Sequence, residues 1–343
     1  MLVTQQPVLK RFWYPVMLMD HLQNGPKPFE LLGQKIVVWL TADNQPAAAA
    51  DRCCHRSAQL SKGQVLDGNI RCPYHGWSFN AAGNCVKVPQ LAEDQLIPRT
   101  YRVPAYNCTE RYGYVWVCLD QPLQPIMELP EADDPQFRQM HEFYEPWDCS
   151  GLRVMENSFD NAHFSFVHTG TFGNQQQPIP ASLEYFDHQQ GINVKTKVPV
   201  VNPALQQKNL GISEGTTLRT NDMTWFMPFA RKLHITYPNG LIHIIVTIAT
   251  PISDRTSQIV QFCLRNDTEA DAKAEDIIAF DRAVTLEDRA ILETTDYDTP
   301  LDLTQEQHMI SDQPGILMRR KLAALLKQHG EGEQTYLTPK ALA

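Results

Sequence analysis

Through the first ~120 residues, apolar positions come in short runs rich in β-branched and aromatic side chains. The clearest are 35–40 (KIVVWL) and 112–119 (YGYVWVCL). Gly, Asn, Asp and Pro punctuate them and no helical period intervenes, so this part reads as strands joined by turns. The pattern then changes. Residues 152–168 are compatible with a helix, and 234–250 and 258–265 read as strands. A long helical pattern covers 270–293, with Ile277, Phe280, Val284 and Ile291 on one stripe, and a short amphipathic one covers 316–328. Residues 120–148 hold five prolines and an acidic cluster, a composition that predicts a linker, placed at 126–148. The expected fold class is α+β, with an all-β domain at 1–125, a mixed domain at 149–330 and a loose tail at 331–343.

Composition limits what these elements can belong to. With 43% hydrophobic and 20% charged residues in 343, the chain can bury a core in each of two domains and is not disordered. Thirty Lys+Arg against 39 Asp+Glu leave a formal charge of −9, a poor match to a phosphate backbone, so no nucleic-acid partner is expected. No apolar run approaches the ~20 residues of a membrane span, and 242–252 is both too short and interrupted by His243. The opening MLVTQQPVLKRFWYP lacks the basic, apolar, small-residue order of an export signal. A cytoplasmic protein with no membrane partner is the expectation. Eight cysteines are too sparse for a disulfide scaffold. Six lie in the first 120 residues, where metal binding or plain burial accounts for them better.

Two groups of residues carry candidate chemistry. The first is Cys53 and His55, a C-x-H pair, separated by 16 residues from Cys72 and His75, a C-x-x-H pair. Each pair fits one tight loop, so two loops can close on a metal centre from opposite sides. A Rieske [2Fe–2S] cluster and a tetrahedral zinc both use two thiolates and two imidazoles. Zinc fingers usually group like with like, whereas a Rieske cluster gives one iron both cysteines and the other both histidines. Mixed pairs on two loops therefore favour the cluster. Cys54 falls outside this register and reads as a half-buried thiol.

The second group lies in 156–168 (ENSFDNAHFSFVH). At ~100° per residue, Glu156, Asp160 and His163 share one helical face. His163 and His168 are about 140° apart on an ideal helix, so a shared ligand requires the helix to end near His168, as Thr169-Gly170 suggests. Two histidines need a carboxylate to complete a 2-His-1-carboxylate iron site. The 270–293 helix offers Glu287 and Asp288 near the apolar stripe and Asp281 further round. Periodicity does not choose between Glu287 and Asp288.

The segment 51–79 (DRCCHRSAQLSKGQVLDGNIRCPYHGWSF) resembles the Rieske segment of the non-haem iron oxygenases, and Arg111-Tyr112-Gly113 followed by Val-Trp-Val resembles that domain's closing strand. The resemblance covers nearly the whole chain. It implies an N-terminal all-β Rieske domain followed by a helix-grip (START-like) α+β catalytic domain. It also implies a mononuclear Fe(II) held by His163, His168 and Asp288, because Leu-Glu-Asp-Arg-Ala-Ile-Leu-Glu is similar to the family's distal ligand segment. Asp160 would then hydrogen-bond His163 and reach His75 of a neighbouring chain, which implies a head-to-tail homotrimer.

The chain contains no nucleotide-binding fingerprint. Its nearest glycine cluster, Gly330-Glu-Gly332-Glu, lacks the later glycine and does not follow a strand. The resemblance implies that electrons from NAD(P)H arrive through a separate reductase, a ferredoxin or both, to act with dioxygen on a small organic substrate. Residues 160–173 (DNAHFSFVHTGTFG) are most similar to the caffeine-type N-demethylases, with vanillate- and dicamba-type O-demethylases and saxitoxin-pathway hydroxylases close by. Substrate contacts are expected from strands facing the iron, at Asn221, Trp225, His243, Ile245 and Phe262, residues that equally suit an ordinary core. A monooxygenase (hydroxylase or demethylase) is the expected activity. The alternatives are a cis-dihydroxylating aromatic dioxygenase and a non-catalytic Rieske carrier or zinc-binding protein.

Overall fold

Runs of β-branched and aromatic residues this short cannot bury themselves alone, and the chain pairs them in antiparallel sheets throughout. The computed structural model describes residues 1–92, 94–188 and 191–336. Ten strands fill the first part: β1 (Tyr14–Leu18), β2 (Lys27–Leu31), β3 (Gln34–Leu40), β4 (Pro46–Ala50), β5 (Gln64–Leu66), β6 (Asn69–Arg71), β7 (Ser78–Phe79), β8 (Cys85–Lys87), β9 (Ala105–Arg111) and β10 (Tyr114–Cys118). They form a six-stranded sheet in the order β1-β10-β9-β4-β3-β2 and a four-stranded one in the order β5-β6-β7-β8. Every residue of β10 is buried, and so are Ile36 to Trp39 of β3. Both faces of these strands are covered, which is why their sequences read as continuous apolar runs rather than alternating ones.

The second part contains β11 (Arg138–Trp147), α1 (Gly151–Phe159), α2 (Phe164–Val167), β12 (Ser182–His188), β13 (Gly191–Val201), α3 (Ala204–Leu210), β14 (Thr216–Phe226), β15 (Ala230–Thr236), β16 (Ile242–Pro251), β17 (Ser257–Arg265), α4 (Ala274–Leu292) and α5 (Gln313–Gln328). Its sheet runs β11-β17-β16-β15-β14-β13-β12, a seven-stranded antiparallel meander with the first strand added at the far edge. The long helix α4 lies against it: Ile277 packs with Met140 of β11, Ile245 of β16 and Cys263 of β17. A long helix held by a curved meander is the helix-grip arrangement expected for this half.

Several boundaries differ from the sequence reading. The chain divides into Pro7–Ile126 and a unit made of Met1–Gln6 with Met127–Ala343. The first six residues thus belong with the second unit, where the Thr4 N–H and hydroxyl both donate to Asp254 at 2.8 Å. The 126–148 linker is not one throughout, because residues 138–147 form edge strand β11. There the register runs Arg138 to Arg265 through Trp147 to Ser257, and strand pairing outweighs the effect of the single internal Pro146, opposite Gln258. The 234–250 segment is two strands, β15 and β16, hinged at the turn Tyr237–Leu241. Of the expected tail, 331–336 is tied down in part, the Leu2 N–H donating to the Gln334 carbonyl at 2.7 Å. Residues 337–343 lie outside the described residues. On α4, Ile277 and Phe280 are buried as expected, whereas Ile291 in the last turn is 52% exposed.

Candidate metal centres and substrate pocket

One cysteine–histidine loop connects β4 of the large sheet to β5 of the small one, and the other joins β6 to β7 within the small sheet. Both are tight turns. The Ser57 N–H donates to the Cys53 carbonyl at 3.0 Å and the Gly76 N–H to the Cys72 carbonyl at 3.1 Å. Gly76 has φ +76°, which favours a residue without a Cβ. Buried Asp51 fixes the first loop by accepting from the Ser61 N–H (2.7 Å) and hydroxyl (2.6 Å).

Four side chains converge from these loops. The His55 and His75 rings meet edge to face with centroids 4.5 Å apart, and His55 stacks on Trp77 at 4.5 Å. Cys53 and Cys72 are buried, and burial followed by the neighbouring Cys72 pushes the Cys53 thiol up to about 12. His55 is held below its ordinary value by burial, His75 and Arg56, so its ring is neutral, and its Nδ1 is buried with no hydrogen-bond partner. Paired buried thiols and an orphaned neutral imidazole fit a metal cluster better than a plain core. Cys54 is exposed rather than half-buried.

The second site is built where the helix fails. The expected 152–168 helix is interrupted: α1 ends at Phe159, Asp160 adopts an extended backbone (ψ 117°), and a single turn, α2, follows. Asp160 produces the break by accepting the Ala162 N–H on its own carboxylate at 2.7 Å, a local bond that competes with the helix. The break turns His163 and His168, at the two ends of α2, toward each other with Nε2 atoms 3.2 Å apart. From α4, Asp288 Oδ1 lies 3.4 Å from His163 Nε2 and 3.3 Å from His168 Nε2. Ligands on one face of an octahedral ion at about 2.1 Å are about 3 Å apart, so this near-equilateral triangle fits a first-row divalent cation.

The surroundings hold each corner. Glu287 sits behind His168, with Oε2 3.1 Å from its Nδ1, and accepts the Thr171 hydroxyl at 2.6 Å and the Gly170 N–H at 2.9 Å. Its oxygens face away from the triangle. Asn157 donates to Asp288 Oδ1 at 3.0 Å. Asp160 Oδ2 stands 3.6 Å from His163 Nδ1, beyond hydrogen-bond length but close enough to attract the ring. Burial opposes charge on His163, yet Asp160 and Asp288 on its two sides outweigh it and raise its pKa to about 9. Burial likewise works against Asp288, but the two imidazoles hold its carboxyl well below the usual range. Glu156 takes no part: it pairs with Arg153 at 2.9 Å and with Arg319, tying α1 to α5.

A Rieske [2Fe-2S] domain model matches residues 12–107, and the vanillate O-demethylase oxygenase C-terminal domain matches 147–328, more than half of the chain. The chain is a Rieske non-haem iron oxygenase. Across 97% of its length the oxygenase is 29% identical to methylxanthine N1-demethylase NdmA of Pseudomonas putida, covering 93% of that protein. A solved structure of NdmA from Pseudomonas putida CBB5 with caffeine superposes with a TM-score of 0.84 at 28% identity, over 94% of this chain and 93% of that one. Dicamba monooxygenase bound to dicamba, at 21% identity, shares the fold with a TM-score of 0.79, over 94% of this chain and 98% of that one. The first unit of the oxygenase is thus the Rieske domain and the second its catalytic-type domain. No helix among the described residues is long and apolar enough to cross a membrane.

The triangle opens into a pocket enclosing about 800 Å³ of atom-free space, its mouth included, between α1, α2 and α4 and the sheet face of β13–β17. Of the expected substrate contacts, Asn221, His243 and Ile245 line it. Two do not. Phe262 falls on the opposite face of β17 from Gln261 and Cys263, because strand side chains alternate. Trp225 has the right parity but lies further along β14, where it meets Phe159 (6.2 Å) and donates to the Pro228 carbonyl at 3.0 Å.

Below the pocket, Glu142, His243, Cys263 and Asp281 form a second buried cluster of metal-ligating side-chain types. Burial beside Asp281 raises the Glu142 carboxyl well above its ordinary range. Burial would raise Asp281 too, but His243, 3.1 Å away, holds it low. Sequence reading missed Glu142 of this cluster and Arg219, Arg231 and Gln261, which line the pocket. For the last three the available signal was strand parity: each lies on the inward register of its strand, where a polar residue is out of place, whereas Glu142 sits at the bulge of β11.

Proposed function

We propose that this oxygenase is the terminal component of a monooxygenase that hydroxylates, or N- or O-demethylates, a small organic compound. Electrons would come from NAD(P)H through a separate reductase, a ferredoxin or both. The reading is carried by one observation: the His163–His168–Asp288 triangle opens into a pocket between α1, α2, α4 and the inner face of the sheet. Cys53, His55, Cys72 and His75 are read as the cluster ligands, and the triangle as the holder of a mononuclear Fe(II). Iron bound there would supply the activation of dioxygen that organic side chains cannot.

The chain's own residues do the rest. Glu287 and Asp160, on the outer nitrogens of His168 and His163, orient the two rings so that both Nε2 atoms point inward. Apolar walls such as Phe172, Val194 and Leu233 exclude water and hold the substrate body. Demethylation is then hydroxylation of an N- or O-methyl carbon, after which formaldehyde leaves. Asp160, its side chain 37% exposed, is read as the link from His163 to a neighbouring subunit's cluster in a homotrimer.

The test is iron and acid-labile sulfide per chain on anaerobically purified protein, followed by formaldehyde release from N-methyl and O-methyl compounds with a reductase and labelled dioxygen. About three irons and two sulfides, with one labelled atom in the oxidised carbon, are expected. Zinc without sulfide would remove the electron supply and the proposal with it. Two labelled atoms in one product would replace monooxygenation by dihydroxylation.

A further inference from the structure

Ten arginines belong to the unit that contains the pocket. Six of them, Arg138, Arg153, Arg265, Arg282, Arg289 and Arg319, have a carboxylate at ion-pair distance. Arg255 and Arg320 are exposed to solvent. The remaining two, Arg219 of β14 and Arg231 of β15, are the two that line the pocket. Among the described residues neither has a carboxylate at ion-pair distance.

Both are nevertheless fixed in place. Arg219 donates from Nε to Asn221 Oδ1 at 2.8 Å, and its guanidinium lies over the Phe172 ring, 4.9 Å from the centroid. The bond and the stacking aim the charge without neutralising it. Arg231 Nε is buried and has no hydrogen-bond partner. Burial lowers the pKa of Arg231, Asp288 and Glu142 act against that from a distance, and the like charge of Arg219 adds to it. Two half-buried guanidiniums that line one pocket, with no carboxylate at ion-pair distance from either, form a site that an anion would complete. The acids nearby do not complete it. Asp281 stands 3.1 Å from His243, Glu142 accepts from Gln261 at 2.6 Å, Asp288 lies between His163 and His168, and none of the three is at ion-pair distance from either arginine.

We infer that the compound oxidised in this pocket is an organic carboxylate, its anionic group received by Arg231 with Arg219 alongside and its methyl-bearing end directed to the His163–His168–Asp288 triangle. The planar guanidinium fork matches a carboxylate through two parallel N–H···O bonds, which makes it a selective receptor for that group. Phe172, Val194, Met223, Leu233 and Val284 suit an aromatic or aliphatic body between the two ends. The inference rests on reading the pocket as an oxygenase active site. It separates this chain from a relative whose structure holds caffeine, which has no carboxylate.

The experiment measures binding without turnover, so that it stands apart from the test of the oxygenase reading. Holoenzyme with verified iron content is titrated, by tryptophan fluorescence or calorimetry, with 4-methoxybenzoate and 4-(methylamino)benzoate. Their uncharged methyl esters and caffeine serve as the comparison. The acids are expected to bind and the neutral compounds to bind at least tenfold more weakly, with Arg231→Gln losing about ten- to hundredfold in affinity for the acids alone. Arg219→Gln, the second variant, is expected to move the same way by a smaller factor. Both should keep the cluster absorption spectrum and their iron, which separates a lost contact from a lost fold. Equal affinity for acid and ester, unchanged affinity in both variants, or no carboxylate binding at millimolar concentration would overturn the inference.

Discussion

Glu287 and Asp288 are neighbours in sequence, so a helix turns their side chains about 100° apart and only one can face the histidines' inner nitrogens. Glu287 is occupied on the outer side by Thr171, Gly170 and His168 Nδ1, while Asp288 Oδ1 meets both Nε2 atoms. Two different losses are therefore expected. Asp288→Ala should lose the mononuclear iron alone, leaving about two irons and two sulfides per chain by metal and sulfide analysis. Glu287→Gln should keep the ligand but loosen the His168 ring, lowering iron(II) affinity about 10- to 100-fold in a titration of the iron-depleted protein. If the iron stays in Asp288→Ala and leaves in Glu287→Gln, the two assignments exchange.

The turn that carries His163 and His168 depends on elements that end where they do. α1 stops because Asp160 captures its own downstream N–H, and α2 stops at His168, whose carbonyl accepts from the Gly173 N–H at 2.7 Å. A Cβ on Gly173 would come within 2.3 Å of the Phe164 carbonyl oxygen and 2.8 Å of that of His168, so no side chain fits without moving backbone. Gly173→Ala should therefore displace the His163–His168 turn and strip the mononuclear iron, while the visible absorption of the cluster is unchanged. A variant with normal iron content would show that the turn tolerates the shift. Sheet parity acts at the same scale. It puts Asn221, Arg231, His243 and Gln261 on the pocket face of four successive strands, and Phe262 behind them.

At the scale of the whole molecule, the two centres draw their ligands from separate units of the chain. An iron(II) chelator is expected to abolish turnover with the cluster spectrum intact, and added iron(II) to restore it. Loss of the cluster signal in step with the mononuclear iron would argue against that independence. The inter-subunit role given to Asp160 makes a further prediction. The protein should sediment at three times the 39.0 kDa chain mass, and Asp160→Asn should keep that mass and both metals while losing most turnover. Normal turnover in that variant, or a monomer at working concentration, would sink the bridge.

Local spacing, a property of the chain alone, marked the candidate ligands: Cys53-x-His55 and Cys72-x-x-His75 on short loops, and His163 and His168 five residues apart, are legible because backbone reach over so few residues admits few geometries. The fold class followed from period and punctuation in the same way. Edge strand β11 was not legible, because its stability comes from nine register positions on β17, more than a hundred residues away, and not from its proline-flanked sequence. Nor could periodicity decide between Glu287 and Asp288, since the histidines that distinguish them arrive from another element. Of five expected substrate contacts, three face the pocket and two do not, because which side of a sheet is enclosed depends on where α1, α2 and α4 lie. The unpaired Arg219 and Arg231 belong to the same class: a charge is unpartnered only with respect to everything around it, and that is fixed by tertiary packing rather than by sequence.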